Sequence, residues 1–329
     1  MHIALRSLIS QGLILMTTLS GNSMINGDAD YINTFANRSE YSVVCLDSVD
    51  EKLEDKEKSE GDQCEKHEEN QCENSSVDQG KDNVGENKKT SFRDALGIID
   101  ESYAVDAEMV EKWLSGEEEA DGEKQVFLTF DDGPSRTITP KVLDILKEKD
   151  VKATFFQCGE MIELSQSTED LVQRVHEEGH AIGNHFYIHD IVKINTGKNL
   201  NGEYCKAQLK KNDETFKKVL GDDFNCRIMR MPGGFASKER AKYYGLDEFK
   251  GYLKNNSIYS IEWNALSGDA DGTNKNKNQL VQEVKKTAED KSKVIVLMHD
   301  TYGKEETVKA LPEIIDYFKD QGFQFKVIV

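Results

Sequence analysis

The hydrophobic pattern divides this chain near residue 124. Over residues 47–90 the sequence is dominated by Asp, Glu, Lys, Asn, Gln and Ser, with almost no apolar positions. Such a segment buries too little surface to offset the entropy of ordering it, so it reads as a disordered spacer that gives reach. Apolar positions return over 92–114, enough for one or two short helices, before a second acidic tract at 117–123. Beyond Lys124, short apolar runs alternate with amphipathic stretches. The runs predict strands at 125–130, 151–156, 180–183, 227–231, 257–263, 294–299 and 323–329. The stretches between them predict helices at 140–149, 168–178, 204–220, 241–253, 278–290 and 307–319. Thr139 is the expected N-cap of the first helix, with Pro140 at N1, and Gly179 and Gly221 are expected helix stops.

Strands alternating with helices imply an α/β fold with a mainly parallel sheet. About seven repeats favour a closed or nearly closed, distorted (β/α) barrel over an open sheet. In such barrels functional groups gather at the C-terminal ends of the strands. Asp131, His185, Arg230, Trp263 and His299 each fall at or just past the end of a predicted strand, which points to one shared site.

Two of these positions carry metal-type chemistry. Thr129-Phe130-Asp131-Asp132-Gly133-Pro134 follows the apolar run Val126-Phe127-Leu128, and His185-Phe186-Tyr187-Ile188-His189 follows Ala181-Ile182-Gly183-Asn184. Asp, His and His can hold a divalent metal with coordination positions left open, and a second aspartate can act as base on water. Two useful aspartates in a row belong at a strand end, where Gly133-Pro134 turns the chain.

Composition narrows the classes. The chain has 329 residues, which suits one large domain plus extra sequence, and its 37% hydrophobic content leaves part of it outside any core. A formal charge of −19 argues against a nucleic-acid partner and against attachment to an acidic membrane surface. No protein partner is expected, and the chain reads as a monomer. Residues 7–27 are charge-free after His2 and Arg6, with small residues at Ser20, Gly21 and Ser23, as in export signals. The run is too polar for a convincing spanning helix. Among the six cysteines no C-x-x-C pair occurs. Cys158 reads as a buried small hydrophobe, and a Cys205–Cys226 disulfide is compatible with export.

At these residues the sequence resembles the polysaccharide deacetylases with a NodB-homology domain, carbohydrate esterase family 4. The resemblance covers roughly residues 125–329 and includes five motifs in order. Thr129-Phe130-Asp131-Asp132-Gly133 matches the first, which implies Asp131 as catalytic base and Asp132 as metal ligand. His185 and His189 match the metal-binding histidines of the second. Arg230-Met231-Pro232-Gly233-Gly234 fits the third, whose arginine orients the base. Tyr259-Ser260-Ile261-Glu262-Trp263 falls on the fourth, and Leu297-Met298-His299 on the fifth, whose histidine is the general acid. Two departures stand out. Phe186 replaces the Ser or Thr that usually follows the first metal histidine. Glu262 stands where an aspartate precedes the fourth-motif tryptophan and tunes the catalytic histidine, and Tyr259 replaces that motif's first aspartate. Charge is kept at Glu262, so a weakened enzyme is expected rather than an inactive one.

The resemblance implies hydrolysis of an N-acetyl group on a sugar, with one divalent ion, zinc or else cobalt, held by Asp132, His185 and His189. The oxyanion would meet a backbone N–H near Gly233, His299 would protonate the leaving amine, and Trp263 and Leu297 would wall the acetyl methyl. The export-like start and the spacer favour cell-wall work at the cell surface, on N-acetylglucosamine of peptidoglycan. Acetylxylan esterase, chitin deacetylase and an impaired carbohydrate-binding relative are the alternatives. The organisation expected is a signal peptide or weak membrane anchor at 1–27, a mostly disordered acidic linker with short helices at 28–120, and the catalytic domain at 121–329. A zinc-protease reading fails because Phe186 stands where H-E-x-x-H needs Glu. A non-haem iron oxygenase is disfavoured by the second aspartate and the Arg-x-Pro loop. His176 and His180 read as structural, Asp300 carries no assigned role, and Asp269 and Asp271 read as turn formers.

Overall fold

The computed structural model describes residues 101–329. The expected leader or anchor at 1–27, the spacer at 47–90 and Cys45, Cys64 and Cys72 lie outside the described residues. The strands are β1 (Ala104–Val105), β2 (Gln125–Gly133), β3 (Thr154–Gln157), β4 (Ala181–Asn184), β5 (Asn195–Thr196) and β6 (Asn199–Leu200). They continue with β7 (Ile228–Met229), β8 (Tyr259–Ser260), β9 (Ala265–Leu266), β10 (Lys293–His299), β11 (Gln324–Phe325) and β12 (Val327–Ile328). Seven of them form one curled sheet in the order β8-β7-β4-β3-β2-β10-β9, every pairing parallel, and β11 adds to the start of β2.

β2 and β10 are the longest strands of the sheet, and their apolar runs are nearly unbroken. Val126, Phe127, Leu128, Phe130, Val294, Ile295, Val296 and Met298 are all fully buried. That is the pattern of a parallel strand covered on both faces. The helices Thr139–Glu148, Lys277–Ala288 and Glu305–Asp320 supply cover through Val142, Leu146, Leu280, Val284, Ile314 and Phe318, all members of the main core.

The predicted strand at 257–263 is split, and the barrel does not close by pairing. Tyr259 and Ile261 donate their N–H groups to Arg227 and Met229 on one edge, while Asn264 and Ser267 donate to Ile295 and Leu297 on the other. Consecutive residues thus serve opposite edges, and 261–264 cross the gap as chain. The Asn264 side chain replaces missing ladder bonds, donating to Lys293 O at 2.8 Å and accepting from Ile295 N–H at 2.9 Å.

A second apolar cluster lies beside the first. Phe186, Cys205, Leu209, Met229, Met231, Phe235 and Phe249 fill it. Cys205 belongs to this cluster and Cys226 to the main core, and both are free thiols, so the disulfide does not form. Cys158 is a buried thiol, as its apolar surroundings predict.

Helix ends differ from expectation in two places. Ile138 occupies the N-cap and Thr139 is already helical. The Thr139 hydroxyl instead accepts from Ser135 N–H and donates to Asp300 Oδ2 at 2.6 Å. The stretch at 241–253 is not one helix: Phe235–Arg240 and Leu246–Asn255 are separated by a turn at Gly245. Gly179 and Gly221 do follow helix ends.

The folded unit begins earlier than residue 121. β1 pairs with β12, and Ala107 N–H donates to Val329 O. The helix Ala107–Ser115, capped by the Asp106 side chain, buries Ala107 and Val110 completely. Its Glu111 accepts the Ser260 N–H at 3.0 Å, satisfying the β8 edge. The apolar positions before the acidic tract therefore belong to the core of the same domain.

Candidate active site

β2 ends in a bulge. Its register with β3 shifts between Asp131 and Gly133, leaving Asp132 as the extra residue at φ 69°. A regular strand would send neighbouring side chains to opposite faces, whereas a bulge re-aims one of them. Both aspartates therefore reach one site. Position 133 must be glycine, since a Cβ there would fall 2.4 Å from Asp300 Oδ1. Asp300 is fully buried under that turn. Burial, reinforced by the Asp132 and Asp131 charges against the opposing Thr139 hydrogen bond, raises its carboxyl to about 7.

Asp131 is 3% exposed and stands opposite His299 in the β2–β10 register. Its Oδ1 accepts from Arg230 Nη1 at 2.8 Å. Arg230 is wholly buried, and it also donates to Thr129 Oγ1 and to Ile261 O, each at 2.8 Å. Its guanidinium lies 4.2 Å from the Phe156 ring centroid. With these partners Arg230 fixes one carboxylate oxygen of Asp131 and leaves the other facing the site.

Asp132 Oδ1 is buried without a hydrogen-bond partner, 3.2 Å from His185 Nε2 and 3.6 Å from His189 Nε2. The three ligand atoms lie within 4.8 Å of one another. Burial would raise the Asp132 carboxyl, but the surrounding His189, His185 and His299 hold it well below the usual carboxylate range. His185 Nδ1 sits 2.9 Å from Arg230 O, a contact that places the proton on Nδ1 and leaves Nε2 as a ligand atom. An orphaned buried carboxylate oxygen between two imidazole nitrogens fits a divalent cation of the class bound by N and O donors.

The loop carrying the histidines is held by packing. Phe186 adopts φ 68°, donates its N–H to Asn184 Oδ1 at 2.9 Å and buries its ring in the second cluster against Phe249. Apolar contact thus secures Phe186 where the resemblance implies a hydroxyl.

The partner of His299 is a correction. Its Nδ1 lies 2.8 Å from Asp269 Oδ1, and its backbone N–H donates to Asp269 Oδ2 at 2.9 Å. Thr307 Oγ1 also donates to Asp269 Oδ2, and the Asp269 side chain is only 4% exposed. Asp269 is therefore more than a turn former, and Glu262 does not contact His299. Burial alone would lower the His299 imidazole, but the Asp269 carboxylate outweighs it and holds the ring at about 9. The same pairing brings Asp269 to about 2 against its own burial. His299 Nε2 faces the site, 4.0 Å from Asp132 Oδ2. Sequence reasoning missed Asp269 because β9 is only two residues long and was not recognised as a strand. Asp269 lies three positions past its end, where barrel chemistry collects.

Glu262 points elsewhere. Both of its carboxylate oxygens accept from Phe235 N–H at 3.1 Å, and Oε2 accepts from Ala236 N–H at 3.3 Å. Trp263 packs against Gly234, and its ring centroid is 5.6 Å from the Arg230 guanidinium. Leu297 shares the half-open face of β10 with His299 two positions on, and Gly233 is exposed at the rim. His176 stacks edge-on to Phe224, His180 Nδ1 accepts from Ala153 N–H, and Asp271 pairs with Lys275 in its loop.

Comparison with known proteins identifies the family. Residues 118–249 match the family model for polysaccharide deacetylase. A peptidoglycan-N-acetylglucosamine deacetylase of Bacillus cereus is 33% identical over 204 residues, 61% of this chain and 66% of that protein. A second Bacillus cereus protein of the same description is 31% identical over 207 residues, covering 63% of this chain and 87% of the relative. Among solved structures, a Streptococcus mutans CE4 esterase superposes with a TM-score of 0.63 at 32% identity, covering 70% of this chain and 93% of the other. The chain belongs to the polysaccharide deacetylase family.

Proposed function

We propose that this protein removes the acetyl group from N-acetylglucosamine units of cell-wall peptidoglycan, using one divalent ion, zinc or cobalt, held by Asp132, His185 and His189. The observation that carries the reading is the convergence of a braced base, Asp131 on Arg230, and a charged acid, His299 on Asp269, around the orphaned Asp132 oxygen. The names of the Bacillus cereus relatives support peptidoglycan over chitin or xylan as substrate.

The bound ion would supply Lewis acidity, polarising the acetyl carbonyl and acidifying the attacking water. The chain's own groups do the rest. Arg230 holds Asp131 oriented through Oδ1, so that Oδ2 can take a proton from the attacking water. Negative charge developing on the acetyl oxygen can be met by the Gly233 N–H, at a loop position without a side chain. His299 stays protonated at neutral pH because of Asp269, and its Nε2 can hand that proton to the leaving amine as the C–N bond breaks. Leu297, on the same face, offers an apolar wall beside the reaction centre.

The test is acetate release from peptidoglycan, from chitin oligomers and from acetylated xylan, with metal content measured on the same sample. Release is expected with peptidoglycan, with loss on chelation. Release from xylan alone would assign the protein to ester hydrolysis, and no release from any of the three would overturn the reading. The expectation of export rests on residues 1–27 and is tested by locating the protein in cell fractions.

A further inference from the structure

The loop that carries Gly233 is held from two sides by charged side chains that touch none of the reacting groups. Lys238 is only 5% exposed, and its ammonium donates to Pro232 O at 2.9 Å and to Gly234 O at 3.1 Å. Ser237 Oγ adds a bond to Gly233 O at 2.8 Å. On the other side Glu262 accepts from the amides of Phe235 and Ala236. The peptide groups of 232–236 are therefore engaged almost in succession: carbonyls to Lys238 and Ser237, amides to Glu262, and the Gly234 N–H to Met231 O at 2.7 Å. Gly233 is exposed, and its N–H has no protein acceptor among the described residues. Space enforces the same arrangement. A Cβ at Gly234, which sits at φ 71°, would come within 2.8 Å of Trp263 and 3.0 Å of Glu262 Oε2.

Burying an ammonium is costly unless its donors are used. Burial brings Lys238 down to about 8, with the Glu262 charge opposing that shift. An apolar residue would fill this place in the second cluster more cheaply, so the two carbonyls it holds are the evident return for the burial. Glu262 also ties the loop to the base. Its own backbone oxygen accepts from Arg230 Nη2 at 3.3 Å, and Arg230 holds Asp131.

We infer that Glu262 and Lys238 are positioning residues, a two-sided clamp that fixes the 232–236 loop so that the Gly233 N–H stays aimed at the acetyl oxygen in the transition state. The inference rests on the proposed deacetylase reading for its consequence, but the clamp itself is a property of the loop. It gives Glu262 a role through the loop amides, independent of the proton on His299.

The experiment uses the full chain loaded with zinc and two shape-conserving variants, Glu262→Gln and Lys238→Met. Hydrogen exchange at 233–236 is read by mass spectrometry, beside kcat, KM, metal content and the pH profile. Removing an oxyanion donor outright costs about 100- to 1,000-fold in kcat, so loosening one should cost about 10- to 100-fold with KM little changed. Exchange at 233–236 should rise in both variants, zinc content should hold, and the alkaline limb of Glu262→Gln should match wild type because Asp269 is intact. A merely structural role would lower the melting temperature and leave kcat per folded molecule and loop exchange as they were. Unchanged exchange in both variants overturns the clamp. If wild type itself releases no acetate, the deacetylase reading fails, and the exchange comparison still decides whether the clamp exists.

Discussion

Both ends of the barrel hold buried polar side chains and use them differently. At the end where the strands begin, His180 is 1% exposed and its Nδ1 accepts a backbone N–H, while Lys293 pairs with Asp121 at the edge. At the end where the strands finish, Asp131, Asp132, His185, His189 and His299 face one another. The histidines make the contrast quantitative. Burial, aided by the Lys152 and Arg174 charges, drives His180 down to about 3, whereas Asp269 holds His299 at about 9. Burial opposes the charged form of both rings, and a directly bonded carboxylate separates them: Asp269 lies 2.8 Å from His299 Nδ1, whereas Glu178 stays 4.0 Å from His180 Nε2. A buried histidine is thus no mark of chemistry until its partner is known.

Changes at the strand-finishing end should abolish activity and spare the fold. Chelation, or Asp132→Ala, is expected to remove all measurable turnover, with zinc or cobalt restoring the chelated wild type but not the variant; acetate release and metal content check this. Next in size, Asp131→Asn removes the proposed base and should cost about 100- to 10,000-fold in kcat with metal retained.

Asp269→Asn separates tuning from ligation. In the proposed mechanism His299 is the acid and must be protonated, so activity should persist up to about pH 9 and fall above it. Without the carboxylate the imidazolium is less stable, and the alkaline limb should move down by about 1–3 pH units. A kcat–pH profile that matches wild type would remove Asp269 from the mechanism.

Changes at the opposite end should act on stability. A fragment starting at residue 118 loses β1, the buried Ala107 and Val110, and the Glu111 acceptor of Ser260. Val110 burial and the stranded N–H alone suggest a loss of about 2–5 kcal/mol, measurable by denaturant titration against a fragment starting at 101. The smallest effect is expected from His180→Gln. The folded value of about 3 lies below the ordinary 6.5, so His180 contributes stability that is complete above pH 6.5 and is lost as pH falls toward 3. The variant should flatten that acid loss by a few kcal/mol at most, with kcat per folded molecule unchanged.

Legibility followed the distance over which each feature is encoded. The bulged Asp131-Asp132 pair and the His185…His189 pair were readable because each occupies a few consecutive residues at a strand end. Arg230 was readable for the same reason, and it meets Asp131 at 2.8 Å. The fourth-motif resemblance points to Glu262 as the partner of His299, whereas the chain breaks between β8 and β9 and brings in Asp269, seven residues onward. Phe186 departs from the motif in sequence, and the second apolar cluster supplies the reason for a large side chain there.

By itself the sequence determined the alternation of strands and helices, the apolar runs that bury β2 and β10, and which side chains stand at strand ends. Those follow from local periodicity and turn chemistry, which neighbouring residues settle among themselves. Only the tertiary structure decided that the barrel stays open between β8 and β9, that Cys205 and Cys226 lie in separate cores, and that the helix Ala107–Ser115 completes the domain. It also decided that Asp269 and not Glu262 charges His299. Which carboxylate meets which imidazole depends on how loops of unequal length return to one rim, and that is set by packing and hydrogen bonds across the sheet, where spacing along the chain carries no information.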